Sequence, residues 1–81
     1  MPPTILLEDI CTIVRLQLGL KQVRPSDLLL AELGAQSFDV VNIVATIENK
    51  YQLFIEESDL AQIERVADLH RVAQEARDKQ G

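Results

Sequence analysis

Three apolar stripes at helical spacing constrain this chain more than any other feature. Leu7, Ile10, Cys11, Val14 and Leu18 fall at i, i+3, i+4, i+7 and i+11, and so do Val40, Ile43, Val44, Ile47 and Tyr51. Leu69, Val72, Ala73 and Ala76 repeat the start of the same pattern. A helix with one apolar face must bury it against another element. The stripes predict a first helix capped by Thr4 and ending near Leu18, a second over Ser37–Tyr51 and a last one over about Val66–Lys79, packed closely through its two alanines. Ser58-Asp59 offers a cap for a short helix through about Ile63. The expected fold is all-α: a small antiparallel four-helix bundle of three main helices and one short helix, with a long loop after helix one. At 81 residues there is room for one core, so 1–81 is read as a single domain.

The remaining segments are connectors. Gly19 is a natural stop for the first helix. Arg24-Pro25-Ser26-Asp27 carries turn chemistry, because the residue before proline avoids the helical region. Leu28, Leu29 and Leu30 are expected to pin the long loop onto the core, with a short turn over 28–33. Gln52–Glu57 should bury Leu53, Phe54 or Ile55. Aromatics make up only 4% of the chain, so the core must be aliphatic. A chain of this size buries only about 60% of its unfolded surface, and with Cys11 as the single cysteine no internal disulfide adds to it.

Charge narrows the partners. From Asp27 to Asp68 there are nine acids and two bases. Phosphate backbones are held by Lys and Arg, so nucleic acid is not expected as a partner, whereas basic protein surfaces are. Met1-Pro2-Pro3 lacks the basic start of a signal peptide, and no apolar run approaches a membrane span. With one cysteine, the cytoplasm is the expected compartment.

The inventory for catalysis is short. The one histidine, His70, lies off the inner face of the last helix and reads as a surface residue. Cys11 sits on an apolar face and reads as a small buried hydrophobe. Glu56, Glu57 and Asp59 lack the Asp-x-Asp-x-Asp-Gly spacing of a calcium loop and read as a solvated acidic turn. Paired Cys or His spacing is absent, and Gly19 and Gly34 are too far apart for a phosphate cradle. No catalytic residue and no metal site is expected, and the chain is not read as an enzyme. Ser37 is the exception of interest. It opens the second helix, where unpaired N–H groups and the positive end of the dipole favour an anion, so a phosphodiester on its hydroxyl would sit in a favourable field. Serine is also a common helix cap, and periodicity alone favours that plainer role.

The surrounding residues change the balance. Leu33-Gly34-Ala35-Gln36-Ser37-Phe38-Asp39-Val40-Val41 resembles the phosphopantetheine attachment motif of acyl carrier proteins, which usually reads Leu-Gly-Ala-Asp-Ser-Leu-Asp. The likeness extends to Leu18-Gly19-Leu20-Lys21-Gln22 upstream, and downstream through Ile47-Glu48-Asn49-Lys50-Tyr51 and Ile55-Glu56-Glu57-Ser58-Asp59-Leu60 to Ile63 and Val66. It implies that a phosphopantetheinyl transferase moves a 4′-phosphopantetheine arm from coenzyme A onto Ser37, making the chain a phosphoprotein. The arm's thiol would then carry acyl groups between loading and processing enzymes of fatty acid biosynthesis and lipid metabolism. The carrier would be a monomer. Aminoacyl, hydroxyacyl or polyketide cargo is an alternative, as is an unmodified interaction module of the same fold.

By the same resemblance, Val44, Ile47, Ile55, Leu60 and Ile63 would line an acyl pocket, though plain core packing accounts for them as well. Gln36, Phe38, Asp39, Val41, Asn42, Ala45 and Glu48 would meet partners. Here the sequence departs from the pattern. Gln36 replaces an Asp that aids recognition by transferases, and Glu56 replaces a frequent Pro. In the outer band of helix two Glu48 is the only acid, with Asn42 and Asn49 standing where acids are usual. These changes point to a specialised carrier.

Overall fold

The computed structural model describes residues 4–80. They form α1 (Leu7–Leu18), α2 (Ser37–Tyr51), α3 (Glu57–Leu60) and α4 (Val66–Gln80). The architecture is the expected helical bundle, with α1 against α2 and α4, and α2 against α4. Helices α1 and α2 run in opposite directions. Gln17, late in α1, donates to Thr46 Oγ1 at 2.7 Å, while Asp9, early in α1, acts electrostatically on Tyr51 at the end of α2.

Helix α1 starts later than its sequence suggests. Thr4 is exposed and caps nothing; the N-cap is Leu6. Ile5 is buried, and its carbonyl accepts from His70 Nε2 at 2.9 Å. That tie keeps the chain extended until the Leu6 carbonyl takes the N–H groups of Asp9 and Ile10. His70 is thus a half-buried fastener rather than a surface residue. The buried face of α1 is Ile10, Ile13 and Val14, with Leu7, Cys11 and Leu18 half-buried beside it. Lying between two helices, α1 turns the middle of its apolar surface inward, which brings in Ile13. Burial raises the pKa of the Cys11 thiol, and Asp27 adds to the effect, so the group stays protonated at neutral pH. Gly19 ends the helix in the left-handed region at φ 67°.

The long loop is fastened by backbone pairing. Leu28 bridges Arg65, Leu29 N–H donates to the Glu64 carbonyl at 2.9 Å, and Val66 N–H donates to Asp27 at 3.1 Å. In extended chain, successive side chains alternate in direction. Only Leu29 therefore enters the core; Leu28 is half-buried and Leu30 is 58% exposed. The expected turns are present, with Asp27 N–H to the Arg24 carbonyl and Glu32 and Leu33 N–H to Leu28. The connector after α2 alternates too: Leu53 and Ile55 are buried and Phe54 is 64% exposed. Helix α3 is one turn long and stops at Leu60, short of Ile63. Its N-cap is Glu56, so Ser58 and Asp59 lie inside it. Beyond Leu60 the chain must unwind to present the Glu64 carbonyl to Leu29.

Helix α4 buries the expected stripe together with Val66. The Tyr51 ring is fully buried between α2 and α4, with Lys50 Nζ and the Arg77 guanidinium each 5.5 Å from its centroid. Its hydroxyl is buried without a partner among the described residues. Asp68 fastens the start of α4: its Oδ2 accepts from Arg65 N–H at 2.8 Å and Glu64 N–H at 3.0 Å. These bonds, the Arg65 one foremost, hold its carboxyl below its ordinary range. A depressed folded-state pKa contributes stability above the unfolded pKa, and that stability is lost as pH falls through the folded value. Asp68→Asn is expected to cost about 1 kcal/mol at pH 7, or roughly 4–8 °C in melting temperature. The gap between variant and wild type should close below about pH 4. Thermal melts across pH 2–7 check this.

Candidate functional site

Leu29 and Ala35 build the site from the loop. Ala35 N–H donates to the Leu29 carbonyl at 2.9 Å, and both side chains are buried, which clamps the segment leading into α2. Gly34 takes φ 73° inside that clamp, a conformation that side chains with a Cβ rarely adopt. Gln36 is the N-cap of α2, and Asp39 Oδ2 accepts its N–H at 2.8 Å. Ser37 is the first helical residue. It is exposed, and its hydroxyl makes no hydrogen bond among the described residues. The cap role open to Ser37 in the sequence is therefore held by its neighbours.

The opening N–H groups of α2, at Ser37 and Phe38, have no intrahelical acceptor and lie at the positive end of the dipole. Ser37 also borders an apolar cleft of about 230 Å³, walled by Leu29, Leu30, Val40, Val41, Leu60 and Ile63. A free hydroxyl, an electropositive helix end and an apolar cleft fit a phosphate ester with a partly hydrocarbon arm.

The expected pocket residues divide. Leu60 and Ile63 line the cleft, whereas Val44, Ile47 and Ile55 are sealed in the core at 5%, 0% and 4% exposure. Leu29, Leu30, Val40 and Val41 complete the lining of this cleft. Val40 belongs to the apolar stripe of α2, packing against the core and lining the cleft at once. Leu29 and Leu30 gave no signal beyond being apolar loop residues.

The outer band of α2 is exposed at Phe38 (60%), Val41 (57%), Asn42 and Ala45, with Gln36 exposed just ahead of it. Asp39 is half-buried and tied to Gln36. Glu48 is half-buried, and its Oε2 accepts from Ile55 N–H at 2.8 Å. The one acid of the band is thus committed within the chain. Larger than the serine cleft is an open groove of about 570 Å³ at the far end of α2, around Asn49, Phe54 and Gln80. It does not reach Ser37. Among the described residues no three His, Cys, Asp or Glu are grouped to hold a metal ion, and no helix is long and apolar enough to cross a membrane.

Taken together, the geometry defines a small helical bundle that offers an exposed hydroxyl at a helix start. Residues 8–72 match the family described as "Phosphopantetheine attachment site". The chain is 31% identical over 70 residues to the acyl carrier protein of Chlamydia muridarum (strain MoPn / Nigg), across 84% of this chain and 91% of that one. Two solved structures share the fold. The crystal structure of an acyl carrier protein from Thermotoga maritima aligns with a TM-score of 0.76 at 23% identity, over 93% of this chain and 89% of that one. The solution structure of a holo acyl carrier protein from Geobacter metallireducens aligns with a TM-score of 0.76 at 14% identity, over 91% of this chain and 87% of that one. The chain belongs to the phosphopantetheine-attachment family of acyl carrier proteins. It is a carrier and not a catalyst, and its prosthetic group is a covalently attached 4′-phosphopantetheine.

Proposed function

We propose that Ser37 Oγ bears the phosphopantetheine arm and that the chain presents thioester-bound acyl groups to fatty-acid-type or related biosynthetic enzymes. The observation that carries this reading is the exposed, unbonded Ser37 hydroxyl at the first position of α2, beside an apolar cleft. On a phosphopantetheinyl transferase, that oxygen would form a new bond to the phosphorus next to the pantetheine of coenzyme A. The diphosphate bond breaks, the adenosine bisphosphate leaves, and the hydroxyl proton passes to a base of the transferase. When bound, the arm supplies a thiol that holds cargo as a thioester.

The buried faces of α1, α2 and α4 are spent on one another, which supports a monomer and one carrier domain over residues 1–81. A lone cysteine supports a cytoplasmic setting.

The test is intact mass after incubation with coenzyme A, magnesium and a broad-specificity transferase. One added phosphopantetheine is expected. No addition, under conditions that convert a control carrier, favours an unmodified interaction module. Loading with acyl, aminoacyl or polyketide groups by candidate enzymes then separates the cargo classes.

Gln36 tests recognition. Its side chain is exposed and cannot carry the charge that Asp would place beside the reacting hydroxyl. Gln36→Asp is expected to speed modification by a transferase that serves acidic carriers, about two- to fivefold, the worth of one exposed ion pair. It should also improve the cap by about 0.5–1 kcal/mol. Equal or slower modification indicates a cognate transferase adapted to the amide.

A further inference from the structure

On the reading of Ser37 as the attachment point, we infer that the Tyr51 hydroxyl is a specificity-determining donor at the inner end of the bundle, kept for an acyl chain that carries a hydroxyl or keto oxygen far from its thioester. Tyr51 is 1% exposed, and its Oη is the one buried side-chain nitrogen or oxygen without a hydrogen bond among the described residues. Packing does not ask for that oxygen. The ring fills the space between α2 and α4, and a phenylalanine ring has the same outline. Burying a hydroxyl without a bond carries a penalty that phenylalanine avoids.

The charged groups around the ring do not relieve it. Lys50 Nζ and the Arg77 guanidinium each lie 5.5 Å from the ring centroid, and Arg77 donates to the Tyr51 carbonyl at 3.3 Å. Burial foremost, and Asp9 of α1 after it, raise the pKa of the hydroxyl against an opposing pull from Arg77, so at neutral pH it keeps its proton and can donate it. A buried water needs about two to four polar partners, and no second orphan side chain stands with Tyr51 among the described residues. A ligand oxygen needs only this one.

Position gives the class of ligand. Tyr51 ends the stripe of Val40, Ile43, Val44 and Ile47, and Val40 at its other end lines the cleft at Ser37. A chain that follows the stripe inward meets aliphatic side chains until it reaches this hydroxyl. From Val40 to Tyr51 the helix rises roughly 16 Å. The acceptor oxygen therefore belongs near the far end of a long chain, not beside the thioester. An unsubstituted chain leaves the hydroxyl unpaired, so the two kinds of cargo differ by one hydrogen bond at the same depth.

The experiment loads wild type and Tyr51→Phe from the coenzyme A thioesters of dodecanoyl, 3-hydroxydodecanoyl and 12-hydroxydodecanoyl groups. Intact mass verifies one addition, and circular dichroism checks the fold. Thioester hydrolysis at mildly alkaline pH is then timed. Hydrolysis proceeds from the state in which the arm is in solvent, so a better-held chain hydrolyses more slowly. With 12-hydroxydodecanoyl cargo, Tyr51→Phe should hydrolyse about three- to tenfold faster than wild type, the worth of one hydrogen bond. With the other two cargoes the proteins should agree. The ring carbon bearing the Tyr51 hydroxyl should change its chemical shift with the 12-hydroxy cargo and not with the 3-hydroxy one. Without cargo, Tyr51→Phe should melt at or above wild type. No rate difference with 12-hydroxydodecanoyl, or the same difference with plain dodecanoyl, overturns the role of Tyr51 while leaving Ser37 modified. So does a Tyr51→Phe protein that melts several degrees lower without cargo, because the hydroxyl then has a partner such as buried water in the free form. Absence of the mass gain removes the Ser37 reading, and the role of Tyr51 with it.

Discussion

Ser37→Ala is expected to abolish phosphopantetheine addition while leaving the fold intact. The loss should be complete, because the variant has no oxygen at that position to form the phosphodiester. The cost to folding should be small for a reason visible in the structure. A serine acting as N-cap costs about 1 kcal/mol when replaced by alanine. Here the cap is Gln36, Asp39 accepts the Gln36 N–H, and the Ser37 hydroxyl holds nothing among the described residues. Alanine is also the better helix former at a first-turn position. The melting temperature should therefore stay within about 2 °C of wild type. Intact mass and a thermal melt on the same sample test both halves. Addition that persists in Ser37→Ala moves the attachment point elsewhere. A variant that fails to melt cooperatively means that the hydroxyl has a structural partner in solution.

The helices were legible because burial on one face leaves a period in the sequence. The stripe from Val40 to Tyr51 marked the body and the end of α2, and Leu69 to Ala76 marked the inner face of α4. What the period could not carry is which neighbour each residue meets. Ile13 is buried although it lies outside the stripe, because the choice between adjacent stripes on α1 is set by packing against helices distant in sequence. The same limit hid the fastening of the long loop. Nothing local to Leu28, Leu29 and Leu30 says that Leu29 pairs with Glu64, yet that pairing decides which leucine is buried. Tyr51 is a further instance. Its place in the stripe put the ring in the core, but not that its hydroxyl would lie there without a partner among the described residues.

The site was legible in part, for a similar reason. Ser37 carries its signal in the adjoining residues, and the structure sets its hydroxyl free by giving the cap to Gln36. The pocket was less legible because core and cleft share one apolar alphabet. Val44 and Leu60 look alike in sequence, and only the stopping of α3 at Leu60 leaves Leu60 and Ile63 at an opening. Glu48 shows the converse. As an acid on the outer band it suggested a docking charge, and the bond to Ile55 N–H gives it an internal task.

That internal task leads to the second large effect, on docking. With Glu48 engaged, the exposed band of α2 consists of the apolar Phe38, Val41 and Ala45 and the amides of Asn42 and Asn49. Exposed Leu30 extends this apolar surface across the cleft at Ser37. An apolar centre with a polar rim is the arrangement in which a single aromatic carries much of the binding energy. Acid groups remain elsewhere on the chain, at Glu56, Glu57 and Asp59 on and before α3, and at Glu64. Such charges steer encounter and raise the association rate, and salt weakens them. Phe38→Ala is therefore expected to raise the dissociation rate of a cognate transferase or acyl-loading enzyme about 30-fold, corresponding to roughly 2 kcal/mol. Glu48→Gln keeps an oxygen for Ile55 N–H and should cost less than about 1 kcal/mol, mostly at low salt. Raising salt should slow association and leave dissociation nearly unchanged. The measurement is binding kinetics at low and high salt for wild type and both variants. If Glu48→Gln is the more damaging change, or if high salt removes binding altogether, docking is electrostatic and the apolar band is incidental to it.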